Sequence, residues 1–144
     1  MTNLYLLLIA TAAGIAVALQ GQAMGALNRS AGTAATTLVT YGSGAVIAAA
    51  YWLLRREPAS SLAGPASWYG VIAGVLGLII VGGIGYAAPR LGLTRTLVIT
   101  VAAQLGAALV IEAFGMFGSA PRPFDVSKVT GVVLTIAGVW LVVR

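Results

Sequence analysis

Glu112 is the one acid of this 144-residue chain that falls inside an apolar stretch. A carboxylate in hydrocarbon must be paired, protonated or turned toward a wet cavity, so its functional chemistry would be that of a proton- or cation-responsive group. Its position also allows a plainer reading. Glu112 follows Leu93 by roughly 19 residues, about 28 Å along a helix and therefore close to an interface. Gln104 is the candidate for mid-depth, and Thr100, Gln104 and Ala108 recur at four-residue spacing on a face that Glu112 continues. A neutral amide there can donate to and accept from a solute, or it can join helices at about 0.6 kcal/mol.

Gln20, Gln22 and Asn28 make the end of the first apolar stretch polar. In a second, inverted copy of the chain this cluster returns to the depth of Glu112, which predicts a pathway built from both copies; polarity at a helix end explains the same residues without one. Tyr41 and Tyr86 lie deeper than the other aromatics and are candidates to line a cavity or to pack. Arg95 and Glu112 stand almost symmetrically about Gln104. A two-fold axis in the membrane plane would bring Arg95 of one copy level with Glu112 of the other, and a difference of more than about 11 Å in height would end that pairing.

Much chemistry is excluded by composition. With no cysteine and no histidine, the chain has no disulfide, thiol nucleophile, imidazole base or ordinary zinc or haem site. Three acids in all make a catalytic constellation hard to assemble, and we expect no enzyme, cofactor or metal. The pI near 10.3 would suggest nucleic acid in a soluble chain, but these cations sit singly at helix ends, where they reach lipid phosphates. No nucleic-acid partner is expected.

The elements that must position these groups follow from hydropathy. The chain is 60% hydrophobic and 8% charged, with a mean hydropathy of +1.01, far from any soluble domain. Hydrocarbon about 30 Å thick needs roughly 20 helical residues, and the apolar runs are too long and continuous for barrel strands. They predict an all-α membrane protein, one transmembrane domain over residues 1–144, with five helices at about 4–27, 34–54, 68–88, 93–117 and 126–143. The first run lacks the cationic start of a secretory signal and reads as a retained helix. Asn28 to Thr33 form a tight first connection with Thr33 as a cap, while Pro58, Ser60, Ser61, Gly64 and Pro65 mark an exposed second one. Pro89 and Gly92 separate the third and fourth helices, and Pro121, Pro123 and a cap at Asp125 or Ser127 separate the fourth and fifth. Tyr5, Tyr51, Trp52, Trp68, Tyr69 and Trp140 fall near helix ends as an aromatic belt.

Charge then bears on orientation. With alternate helices running in opposite directions, Arg55, Arg56, Arg122 and Lys128 fall on the side of the N-terminus and Arg29, Arg90, Arg95 and Arg144 on the other, four to four. Because an excess of Lys and Arg decides which side is retained, a tie predicts insertion both ways. Five segments cannot divide into two equal inverted halves, so any inverted symmetry must come from a second copy, with a solute site near the midplane between them. Gly21 with Gly25 and Gly70 with Gly74 give small-xxx-small packing, and Gly82, Gly83 and Gly85 add small surface or, on a second reading, a hinge.

A resemblance joins these features. Gln20, Gly21, Gly25 and Asn28, then Trp68, Gly82, Gly83, Gly85, Pro89, Leu91 and Gly92 match a known order of residues. Gln104-Leu105, Glu112, Phe114, Gly115, Phe117 and Gly118 continue it, with Gly131 and Gly138 in the last helix. The whole resembles the YdcZ-like family, a half-size, five-helix branch of the drug/metabolite transporter superfamily, in which an aspartate is more usual at the place of Glu112. The resemblance implies an antiparallel, dual-topology homodimer of ten helices in a bacterial inner membrane, moving a small solute by alternating access. Its partners would be itself, the lipid bilayer and a small-molecule substrate. An accessory membrane subunit and a dual-topology ion channel are the alternatives; a channel would need a continuous pore.

Overall fold

The computed structural model describes residues 4–58, 60, 64, 67–118, 120–122 and 125–144. Four helices, α1 (Leu4–Arg55), α2 (Ser67–Leu91), α3 (Leu93–Phe114) and α4 (Val126–Val143), are each long and apolar enough to cross a membrane. A short 3-10 turn, Met116–Gly118, follows α3, and no strand occurs among the described residues. Residues 1–90 and 91–144 form two compact units.

Where two helices were expected over 4–27 and 34–54, α1 covers 52 residues as two helices joined across a kink at Gly32. The helix is broken inside at Gly32, whose φ of 80° and ψ of 169° lie outside helical space. Only glycine adopts that conformation without strain. The expected loop from Asn28 to Thr33 is helical on either side of Gly32, and its polar side chains bond locally. The Asn28 amide Nδ2 donates to Thr33 Oγ1 at 2.9 Å, Ser30 Oγ donates to the Leu27 carbonyl at 3.0 Å, and Thr36 Oγ1 donates to the Gly32 carbonyl at 2.9 Å. Thr33 therefore serves the break as an acceptor for Asn28.

The first unit packs α2 against the middle of α1. Met24, Val81 and Ile84 form its core with Tyr41 against it, and Thr36 is its most buried side chain. Two of the expected small residues account for the close approach. A Cβ at Gly25 would meet the Pro89 ring at 3.7 Å and Ala88 at 3.9 Å, and one at Gly85 would meet Met24 Cε at 3.5 Å. Gly21 is buried too. Gly70, Gly74 and Gly83 have nothing within 4 Å of a built Cβ, and Gly82 has only Thr37 Oγ1 at 4.0 Å. No local break occurs at Gly82, Gly83 and Gly85, since α2 runs through all three and on past Pro89. The anticipated break comes one turn later, at Gly92 with φ of 88°.

In the second unit α3 packs on α4. The fourth helix was expected to reach 117 but stops at Phe114, where Gly115 turns left-handed (φ 60°, ψ 36°) and its N–H returns to the Glu112 and Ile111 carbonyls. The Arg122 N–H also bonds the Glu112 carbonyl, at 2.9 Å. Asp125 caps α4 by accepting from the Ser127 N–H at 3.1 Å and from Ser127 Oγ at 2.8 Å. Of the expected loop markers, Ser61, Pro65 and Pro123 lie outside the described residues.

The two Ser127 bonds, side chain first and backbone second, hold the Asp125 carboxyl below its ordinary value. A depressed carboxylate contributes stability that is complete above the unfolded pKa of about 3.9 and is lost as pH falls through the lower folded value. The protection factor of the Ser127 amide, the measured exchange corrected for its intrinsic pH dependence, should therefore fall on acidification below pH of about 3.9, and D125A should lack that protection at every pH.

Arginines close three helix ends on aromatic rings four residues back. Arg55 lies 5.5 Å from the Tyr51 ring centroid and its Nε donates to the Tyr51 hydroxyl at 3.0 Å. Arg90 lies 3.6 Å from the Tyr86 ring, and Arg144 lies 4.9 Å from the Trp140 ring. Such pairs hold a cation and a ring together at headgroup depth. The Trp52 indole N–H is buried and finds no acceptor among the described residues.

Candidate functional site

Two of the polar residues marked in the sequence meet in the first unit. Gln20 from the first half of α1 and Tyr41 from the second line one cavity of about 400 Å³, with Thr40, Gly44, Ala45, Ala48 and Val81. Gly44, Ala45 and Ala48 keep the wall short, and Tyr41 is fixed by its hydroxyl, which abuts Gly77 on α2. The Gln20 amide and the two hydroxyls supply both donors and acceptors, and no charged side chain lines the space. The arrangement can hold a polar group of a solute among small apolar walls. Thr40, Gly44 and Ala48 were not marked beforehand. Their four-residue spacing, with Tyr41 and Ala45 beside them, was the available signal.

A second cavity of about 400 Å³ lies in the other unit, between α3 and α4. Glu112, two residues from the end of α3, pairs there with Lys128 in the first turn of α4 at 2.8 Å, their side chains 44% and 42% exposed. Leu105, Ala108, Leu109, Gly131, Val132 and Thr135 complete the lining. Lys128 had been read only as a charge setting orientation. The signal for its pairing was the hairpin itself, which sets the last turn of α3 beside the first turn of α4. An apolar cleft of about 490 Å³, lined by Ile99, Ile136, Val139, Trp140, Val143 and Arg144, lies between the same helices.

The remaining marked residues stand apart from these spaces. Gln22 and Gln104 are exposed, Asn28 is engaged at the Gly32 break, and Thr100 donates its hydroxyl to the Thr96 carbonyl at 2.8 Å. Tyr86 is exposed beneath Arg90. Arg95, in the first turn of α3, is exposed, and the ion-pair partner of Glu112 within the chain is Lys128. No group of three His, Cys, Asp or Glu side chains among the described residues could hold a metal ion.

A family model described as "Putative inner membrane exporter, YdcZ" matches residues 5–141. Neither a curated protein nor a solved structure matches the chain.

Proposed function

Because the chain belongs to the YdcZ family and is an integral inner-membrane protein, we propose that it is a secondary-active exporter of a small solute, working by alternating access in an antiparallel homodimer. The observation that carries this reading is the cavity of Gln20, Thr40 and Tyr41, a cluster of hydrogen-bonding groups set within apolar helices of membrane length. In this reading the break at Gly32 divides α1 into two crossings and gives the chain five, an odd number that leaves the inverted half to a second copy. The four-to-four division of cations permits that copy to insert upside down. Gly70 and Gly74, open in the single chain, offer it a surface for close helix contact. Arg95 of the inverted copy would then lie level with Glu112.

Reconstituted protein should accumulate or release a small polar solute with saturable kinetics, which a channel would not show. Q20A and Y41F should raise the half-saturating concentration about tenfold, since each strips one hydrogen-bonding group from the cavity. Flux unchanged in both variants would exclude this cavity from the pathway.

Glu112 is the group we assign to proton coupling, with Lys128 and Arg122 as the cations beside it. Flux through E112Q should lose its dependence on pH; a wild-type pH profile in that variant rejects the assignment.

A further inference from the structure

We infer that the Glu112–Lys128 pair is a clamp for a small zwitterion with an apolar side group. The inference rests on the transport reading, since it names the class of solute, and it adds to the cavity of Gln20 and Tyr41 a second solute contact in the cavity between α3 and α4. Both charges line the same cavity, and the rest of its wall is apolar or small, notably Leu105, Leu109 and Val132. The other polar residue, Thr135, has its hydroxyl committed to the Gly131 carbonyl at 2.9 Å. The space thus carries one carboxylate, one ammonium and a greasy floor.

Charge balance selects the ligand. An organic cation bound at Glu112 Oε1 would leave the space with a net positive charge, and an organic anion bound at Lys128 would leave it with a net negative one. An uncompensated charge held against an apolar wall is less favourable than a balanced one. A zwitterion exchanges one pair for two and leaves no charge alone. The geometry permits the exchange. Nearly half of each charged side chain is exposed, so a ligand can reach both. Lys128 Nζ holds Oε2, so Oε1 is the atom offered to a ligand ammonium, while the flexible lysine stem lets Nζ swing onto the ligand carboxylate. The ligand's apolar group would enter between Leu105, Leu109 and Val132.

The test uses leucine as probe, with 3-methylbutylamine lacking its carboxylate and 4-methylpentanoate lacking its ammonium, titrated onto the purified full-length chain in lipid nanodiscs. Leucine should bind at least about tenfold more tightly than either analogue. E112Q and K128M should each erase that preference, whereas K128R, which keeps both charges, should retain it. An amine bound as tightly as leucine, or a leucine preference that survives E112Q and K128M in folded protein, overturns the clamp. Leucine binding without solute movement in proteoliposomes would instead overturn the transport reading and leave the clamp standing. Saturable flux of some solute with no leucine preference would do the reverse.

Discussion

Loading one face of the protein with cations is expected to abolish solute movement, and a partner biased the other way is expected to restore it. The variant E57K/S60R/A120R adds cations beside Arg55, Arg56, Arg122 and Lys128, so the tie gives way to a strong excess on that side. Short-loop Lys and Arg decide orientation, so every copy should then insert alike, and flux should fall about tenfold or more for want of an inverted partner. The opposite variant, R55Q/R56Q/R122Q, leaves Lys128 alone against Arg29, Arg90, Arg95 and Arg144 and should be equally inactive by itself. Co-expressed, the two should recover most of the wild-type flux. Full flux from either one alone would contradict the dimer. Charge bias separates this from a stability effect, because neither set touches a buried side chain.

The second large effect concerns the seam between α1 and α2. At Gly85 a single Cβ already meets Met24 Cε at 3.5 Å, Thr36 Cγ2 at 3.8 Å and Asn28 Nδ2 at 4.0 Å. G85L must push three side chains of α1 away, on either side of the Gly32 break. Overpacking of this kind costs about 1–3 kcal/mol, and here it would also spread the two helices that bring Gln20, Tyr41 and Val81 together. We expect a clear drop in the midpoint of thermal unfolding in detergent and loss of flux. G83L, on the same helix, points where nothing lies within 4 Å. It should keep or slightly raise the midpoint, since leucine is the better helix former. Equal losses in the two variants would show that the seam is not close-packed.

The extent of the apolar segments was legible because hydrocarbon imposes a length and a composition that one dimension records. The close approach at Gly25 and Gly85 was legible for a similar reason, since small residues at helical spacing mark a contact, though spacing could not tell these positions from Gly70 and Gly74. Three features were not. Asn28, Ser30 and Thr33 looked like loop, yet each satisfies a local hydrogen bond and lets α1 continue with only Gly32 out of line. The cluster at Gly82 to Gly85 looked like a hinge, but glycine permits a break without requiring one. Glu112 was given a depth, a proton- or cation-responsive role and a partner in a second copy, Arg95, while its pairing with Lys128 is a lateral fact of two packed helices that no count along one helix contains.

Membership in the family and four apolar helices support an inner-membrane transporter; in the proposed mechanism an inverted second copy completes the pathway. The chain contains no cysteine, so S60C places a unique thiol in the link between α1 and α2. In intact cells a membrane-impermeant maleimide should label roughly half of that thiol, the remainder reacting only after permeabilisation, as the even division of cations demands. Labelling confined to one side of the membrane would contradict the antiparallel dimer outright.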